Sequence, residues 1–114
     1  MSDDDAPPEN NAGPNTAGLS VPPDALSREL PIINKRGLHA RASAKFVQMV
    51  ERFKAEVWVT RGNETVGGTS IRGLMMLSAG PGTSITVSVA GPEAEAALAA
   101  ITELVADKFH EENM

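Results

Sequence analysis

Two residues that could handle phosphate lie close together near the middle of this chain. His39 and Arg41 fall within the segment Asn34-Lys35-Arg36-Gly37-Leu38-His39-Ala40-Arg41, at the predicted start of a helix. The first N–H groups of a helix have no partner inside it, and the helix dipole makes this end positive. A neutral imidazole is nucleophilic and can pass on a bound phosphoryl group, while an arginine can hold phosphate oxygens bidentately. These residue types therefore predict a phosphoryl-carrying site at His39, and the alternative is that His39 only caps or packs the helix start.

The elements on either side of His39 would hold it at that helix start. Residues 40–52 predict a helix, because good helix formers surround apolar residues spaced three and four apart. Those apolar residues are Phe46, Val47, Val50 and Phe53. Residues 27–34 predict a strand, although Pro31 favours an edge position or a bulge. A loop over residues 35–38 then leads to His39, which we expect in the first helical turn, on or next to the cap.

The remainder of the chain predicts a hairpin, a further strand and two helices. Residues 56–61 and 64–67 alternate in polarity around a turn, which indicates a hairpin. Residues 70–77 predict a short helix capped by Ser70, and residues 83–90 predict a half-exposed strand. A last helix should begin at Pro92, a favoured first helical residue. The order β-α-β-β-α-β-α predicts an α+β domain with one antiparallel sheet and its helices on a single face.

Composition narrows the class of protein. The chain has 114 residues and no cysteine, which excludes disulfides, thiolate metal sites and cysteine nucleophiles. Residues 1–26 are acidic and rich in proline, so we expect a disordered tail followed by one domain over residues 27–114. No apolar run approaches the roughly 20 residues of a membrane span, and the start does not resemble a signal peptide. We therefore expect a cytoplasmic protein with no membrane insertion.

Charge is distributed unevenly along the chain. The net charge is −5, yet Arg28 to Arg61 contains eight basic and three acidic residues. This basic half contains His39 and favours the approach of phosphate or of an acidic partner. Nucleic-acid binding is a poor fit, because aromatic residues make up only 4% of the chain.

Other chemistry has little support in the sequence. The two histidines lack metal-ligand spacing, and no Gly-Lys-Ser/Thr sequence follows the glycines, so we expect neither a metal nor a cofactor. His110, Glu111 and Glu112 should be solvated at a frayed C-terminus.

Two segments carry a family resemblance. Gly37-Leu38-His39-Ala40-Arg41, followed by Ala42-Ser43-Ala44-Lys45-Phe46-Val47, resembles HPr, the histidine-containing phosphocarrier of the bacterial phosphoenolpyruvate-dependent phosphotransferase system (PTS). The segment Ser70-Ile71-Arg72-Gly73-Leu74-Met75-Met76-Leu77 resembles the same family, and Ser70 follows His39 by 31 positions, as in the family pattern. The resemblance covers roughly residues 28–110. It implies an open-faced β-sandwich of four strands and three helices, which agrees with the predicted order.

The resemblance also implies roles for individual residues. His39 would accept a phosphoryl group on Nδ1 from phosphorylated Enzyme I and pass it to an EIIA-type domain, with Arg41 at the phosphate. Ser70 matches the serine that an ATP-dependent HPr kinase/phosphorylase modifies in many members. The protein would then be a relay rather than an enzyme, and we expect a monomer. The alternative is a regulatory binding module that acts through Ser70 without phosphoryl relay.

The second helix is the predicted partner-binding element. Ile71, Arg72 and Met75 are the expected contact residues, since a relay must present apolar surface to two partners. We expect Leu74 and Leu77 to pack in the core. For at least one of Met75 and Met76, core packing is the alternative to partner contact. Ala42 stands where the family commonly has proline, and Arg72 where it often has an apolar residue. These departures leave the choice between sugar transport and nitrogen-related regulation open.

Overall fold

The computed structural model describes residues 19–111 and contains seven main elements in the predicted order. They are β1 (Leu26–Pro31), α1 (Ala40–Val50), β2 (Glu56–Arg61), β3 (Glu64–Gly67), α2 (Ile71–Met76), β4 (Ser84–Ala90) and α3 (Ala94–Ala106). A single C-terminal turn, Lys108–His110, follows α3.

The four strands form one antiparallel sheet in the order β1-β4-β2-β3. The edge position of β1 is confirmed, and Pro31 is tolerated there because an edge strand can spare an N–H group. The strand begins at Leu26, opposite Val89, so the ordered domain reaches into the predicted tail. It ends at Pro31 instead of Asn34, and Ile33 is exposed beyond it. Most of the predicted tail, residues 1–18, lies outside the described residues.

The two faces of the sheet differ in chemistry. One face buries alternate apolar residues of the central strands against the helices: Val57, Val59, Ile85, Val87 and Val89. The opposite face pairs hydroxyl groups across strands, Ser27 Oγ with Ser88 Oγ and Thr60 Oγ1 with Thr65 Oγ1, both at 2.8 Å. The α+β open-faced sandwich predicted from the sequence is therefore confirmed.

The first two helices follow their sequence patterns closely. The helix α1 buries Ala42, Phe46, Val47 and Val50, and it ends two residues before the predicted boundary. The helix α2 begins after Ser70, whose Oγ accepts the Gly73 N–H at 2.9 Å, so the predicted cap is confirmed.

The last helix starts at Ala94, so its predicted start at Pro92 is wrong. The cause is a reciprocal pair of hydrogen bonds between Glu93 and Lys54. The Lys54 N–H donates to Glu93 Oε1 at 2.7 Å, and the Glu93 N–H donates to the Lys54 carbonyl at 3.1 Å. This tertiary contact holds Glu93 in a non-helical conformation and delays the first turn.

The loop before α1 packs closely against the segment that follows α2, and we call this backbone contact the seat of the loop. Gly37 has a φ of +67°, and a Cβ there would lie 2.5 Å from the Ala79 carbonyl oxygen and 2.8 Å from Gly80 Cα. The neighbouring Leu38 N–H donates to the same Ala79 oxygen at 2.9 Å. Only glycine permits both this backbone conformation and this approach, so Gly37 fixes where the loop delivers His39.

Replacement of Gly37 tests this seat, and Gly62→Ala is the matched control. Gly62 also has a positive φ, +62°, but no atom lies within 4 Å of the position its Cβ would occupy. We expect Gly62→Ala to lower the free energy of unfolding by about 1 kcal/mol, and Gly37→Ala by at least twice as much because of the added clash. Denaturant unfolding measures both, and equal losses would contradict the proposed seat.

Candidate functional site

His39 occupies the N-cap of α1, as predicted. Its backbone is extended and its carbonyl accepts the Ser43 N–H at 2.9 Å, which starts the helix. Its side chain makes no capping hydrogen bond. The first N–H groups of α1 are therefore not satisfied by the imidazole, and the ring is available for another contact.

That contact is with Glu111, near the end of the chain. A hydrogen bond joins His39 Nε2 to Glu111 Oε2, while Nδ1 has no hydrogen-bonding partner within residues 19–111. The side chains are 17% and 8% exposed, respectively, so the pair is largely withdrawn from water. One ring nitrogen is thus held by the protein and the other is not.

Asn34 connects this pair to the loop before α1. Asn34 is fully buried, and its Nδ2 donates to Glu111 Oε2 and to the Gly37 carbonyl, each at 2.9 Å. The same carboxylate oxygen therefore receives hydrogen bonds from His39 and Asn34. Asn34 Oδ1 and Glu111 Oε1 are buried without a partner among the described residues.

The prediction of a solvated C-terminus is wrong for Glu111. The three residues of the C-terminal turn have φ values of +57°, +56° and +60°, which fold the chain back toward α1. Phe109 is completely buried, and its carbonyl accepts a hydrogen bond from Lys45 Nζ at 2.8 Å. His110 is exposed and pairs with Asp107, in agreement with the sequence, while Glu112 lies outside the described residues.

The surroundings of Glu111 favour its ionised form. Burial by itself raises the pKa of the Glu111 carboxyl. The hydrogen bonds from His39 and Asn34, together with the charges of His39 and Arg36, outweigh burial and lower this pKa below its ordinary value of 4.5. Glu111 is therefore a carboxylate at neutral pH.

Arg41 lies in the first turn of α1 and is exposed. Its guanidinium forms no hydrogen bond or ion pair with any residue from 19 to 111, so none of these residues competes with a ligand for it. Arg36 and Lys35 are exposed in the preceding loop. The structure thus gathers three cations on the segment that carries His39.

The surface of α2 is apolar and exposed. Ile71, Met75 and Met76 are 41%, 44% and 56% exposed, and together with Arg72 they line a shallow groove. Leu74 and Leu77 are buried, as predicted. Both methionines are exposed, so the alternative of core packing for at least one of them is not observed. Gly73, Leu74 and Leu77 already fill the buried side of this short helix.

Residues 19–111 hold no group of three side chains arranged to bind a metal ion. In the same range, every helix is too short or too polar to cross a membrane.

Fold and site together define an open-faced α+β sandwich that presents a histidine at the start of its first helix. Residues 26–107 match the family model described as "PTS HPr component phosphorylation site". The chain belongs to the HPr family of PTS phosphocarriers.

Individual relatives agree with this assignment. The chain is 49% identical over 86 residues to the phosphocarrier protein HPr of Neisseria meningitidis serogroup A, which spans 75% of this chain and 97% of the relative. It is 43% identical over 86 residues to the phosphocarrier protein NPr of Shewanella violacea, covering 75% of this chain and 94% of the relative. The crystal structure of HPr-C-His from Thermoanaerobacter tengcongensis matches with a TM-score of 0.73 and 38% identity, over 76% of this chain and 98% of that one.

The stability supplied by Glu111 should depend on pH. Because its pKa is lowered in the folded state, its contribution is complete above pH 4.5 and is lost as the pH falls through the folded-state value. The difference in unfolding free energy between wild type and Glu111→Gln should therefore be constant near neutral pH and shrink on acidification. Denaturant unfolding at several pH values between 7 and 3 measures it, and a constant difference over that range would contradict the lowered pKa of Glu111.

Proposed function

We propose that His39 accepts a phosphoryl group on Nδ1 from phosphorylated Enzyme I and passes it to an EIIA-type domain. The observation that carries this proposal is the state of the His39 ring at the N-cap of α1. Its Nε2 is engaged by Glu111, and its Nδ1 has no partner among the described residues. Membership of the HPr family supports the same role. In this role the chain is phosphorylated and dephosphorylated by its partners, and it is not itself an enzyme.

The start of α1 supplies the environment that a phosphoryl group on His39 needs. The helix has 11 residues, and its first N–H groups are not capped by the His39 side chain. Those groups and the positive end of the helix dipole stabilise an anion. Arg41, exposed in the same turn and unengaged by residues 19–111, adds a guanidinium that can hold phosphate oxygens. No metal or cofactor is required by this arrangement.

The groove on α2 supports a role in partner docking. A relay must bind a donor and an acceptor in turn, which favours an adaptable apolar surface over one specific pocket. Ile71, Arg72 and Met75 were predicted as contact residues, and the structure adds Met76 to the same groove. The basic charge of the half that contains His39 favours acidic partner surfaces.

A labelling experiment tests the phosphoryl relay. Incubated with Enzyme I and phosphoenolpyruvate, the wild-type protein should acquire a phosphoryl group that acid removes and base does not. His39→Ala should acquire none, whereas His110→Ala, which changes the other histidine, should label like wild type. Retention of the label in His39→Ala would overturn the assignment, and transfer from labelled wild type to purified EIIA-type domains identifies the acceptor.

We propose as a second function that Ser70 is a site of regulatory phosphorylation by an ATP-dependent kinase. Ser70 is half-buried at the N-cap of α2 and directly precedes Ile71 in the groove. A phosphate there would add about two negative charges beside the docking surface, where it would repel an acidic partner. This regulation is an addition to the capping role, which Ser70 performs in either case.

Kinase and ATP should give an acid-stable label that Ser70→Ala lacks. Ser78→Ala, which changes an exposed serine just after α2, should keep the label. Ser70→Ala should also lower the free energy of unfolding by about 1 kcal/mol because the cap is lost. Mass spectrometry of the labelled protein locates the phosphate, and an acid-stable label in Ser70→Ala would remove Ser70 from the proposal.

A further inference from the structure

Glu111 lies outside the part of the chain that the family match covers, which ends at residue 107. The family-model match therefore assigns it no role. Yet its carboxylate is 8% exposed and contacts the ring at the centre of the proposed relay. A charged group would ordinarily remain in water, so the burial of Glu111 against His39 needs a reason.

The C-terminal turn is strained, and its anchors hold Glu111 in place. Lys108, Phe109 and His110 all have positive φ, which costs each of these non-glycine residues conformational energy. Burial of the Phe109 ring and the hydrogen bond from Lys45 to its carbonyl oppose that cost. Lys45 belongs to α1, the helix that His39 caps, so the same element positions both partners of the pair.

We propose that Glu111 is a positioning residue for phosphoryl transfer, because its carboxylate keeps the His39 proton on Nε2 and leaves the Nδ1 lone pair directed at phosphorus. This inference rests on the proposed role of His39 as the phosphoryl carrier. An ionised carboxylate can only accept hydrogen bonds, so the ring nitrogen that faces it must carry the proton. A neutral imidazole has one proton, and Nδ1 is therefore the nucleophilic nitrogen.

The same carboxylate serves both directions of transfer. On phosphorylation, the Nδ1 lone pair forms the N–P bond, and the bond from phosphorus to the donor's leaving atom breaks with its electron pair on that atom. The ring then holds a phosphoryl group on Nδ1 and a proton on Nε2, and its positive charge is balanced by Glu111. On transfer to the acceptor, the N–P electron pair returns to Nδ1 and the neutral Nε2–H ring is restored. No proton needs to leave the ring in either direction.

Asn34 contributes to this geometry without touching the ring. Its Nδ2 donates to the oxygen of Glu111 that faces Nε2, and also to the Gly37 carbonyl. The carboxylate is thereby fixed relative to the loop that delivers His39.

Nuclear magnetic resonance of the full-length protein labelled with ¹⁵N-histidine tests the tautomer directly. In wild type, the neutral His39 ring should show a protonated Nε2 and an unprotonated Nδ1. In Glu111→Ala, the two nitrogen signals should move toward a mixture of both tautomers. Glu103→Gln removes a carboxylate from the exposed side of α3 and should leave the wild-type pattern unchanged. A wild-type pattern in Glu111→Ala would overturn the proposal.

Kinetics with Enzyme I separate positioning from docking. Glu111→Ala should lower kcat for phosphorylation of His39 by about tenfold, the lower end of what loss of an imidazole's outer partner costs in metal sites, with KM unchanged. Glu111→Gln keeps an acceptor oxygen without the charge, so it should retain the tautomer and lose part of the rate. Met75→Glu should instead raise KM, since it alters the groove on α2.

The two proposals fail in different ways. Wild type that takes no phosphoryl group from Enzyme I overturns the role of His39, whatever its tautomer. If wild type is labelled and Glu111→Ala has the same kcat, the role of Glu111 alone is overturned. The amide spectrum of Glu111→Ala shows whether the variant keeps the native sheet, and its kcat is compared with wild type when it does. Glu111→Gln provides the same comparison with a smaller change in packing.

Discussion

The close approach of Gly37 to the backbone of Ala79 and Gly80 is the constraint on which the site depends. It brings the loop before α1 against the segment after α2, and the Leu38 N–H closes the contact on the Ala79 oxygen. The next residue is His39, so the position of the helix cap follows from this seat. The Gly37 carbonyl also accepts a hydrogen bond from Asn34 Nδ2, which donates to Glu111 as well. A backbone contact between two loops thus determines the surroundings of the imidazole.

The sequence predicted the parts of the fold whose signal is local. Hydrophobic periodicity located α1 and β4 to within a few residues, and Ser70 correctly marked the start of α2. Two of the boundaries that were wrong are decided by distant contacts. Glu93 is held by Lys54, which shortens α3 at its start, and the pairing of Leu26 with Val89 extends β1 into the expected tail. Helix and strand propensities and the hydrophobic pattern contain no information about partners that are distant in sequence.

The candidate site was only partly predictable for the same reason. His39 at the cap follows from the local sequence, because a helical pattern begins directly after it. The contact of Glu111 with His39 depends on three successive positive φ values at non-glycine residues, a conformation that is uncommon for such residues. The one available signal was Phe109, a lone aromatic residue after the last helix that needed a place in the core. The exposure of both methionines likewise depends on how little surface a six-residue helix can bury.

The shared oxygen of Glu111 has a consequence for the evolution of this chain. Asn34 and Glu111 are 77 positions apart in sequence, and yet Asn34 and His39 donate to one atom of the same carboxylate. Residues that share an atom do not contribute independently, so the effects of substituting them are not additive. Positions 34 and 111 are therefore expected to be epistatic, with the residue tolerated at one depending on the residue present at the other. A lineage that loses the acid at position 111 also loses one of the two contacts that favour a buried amide at position 34, and only the contact with the Gly37 carbonyl remains.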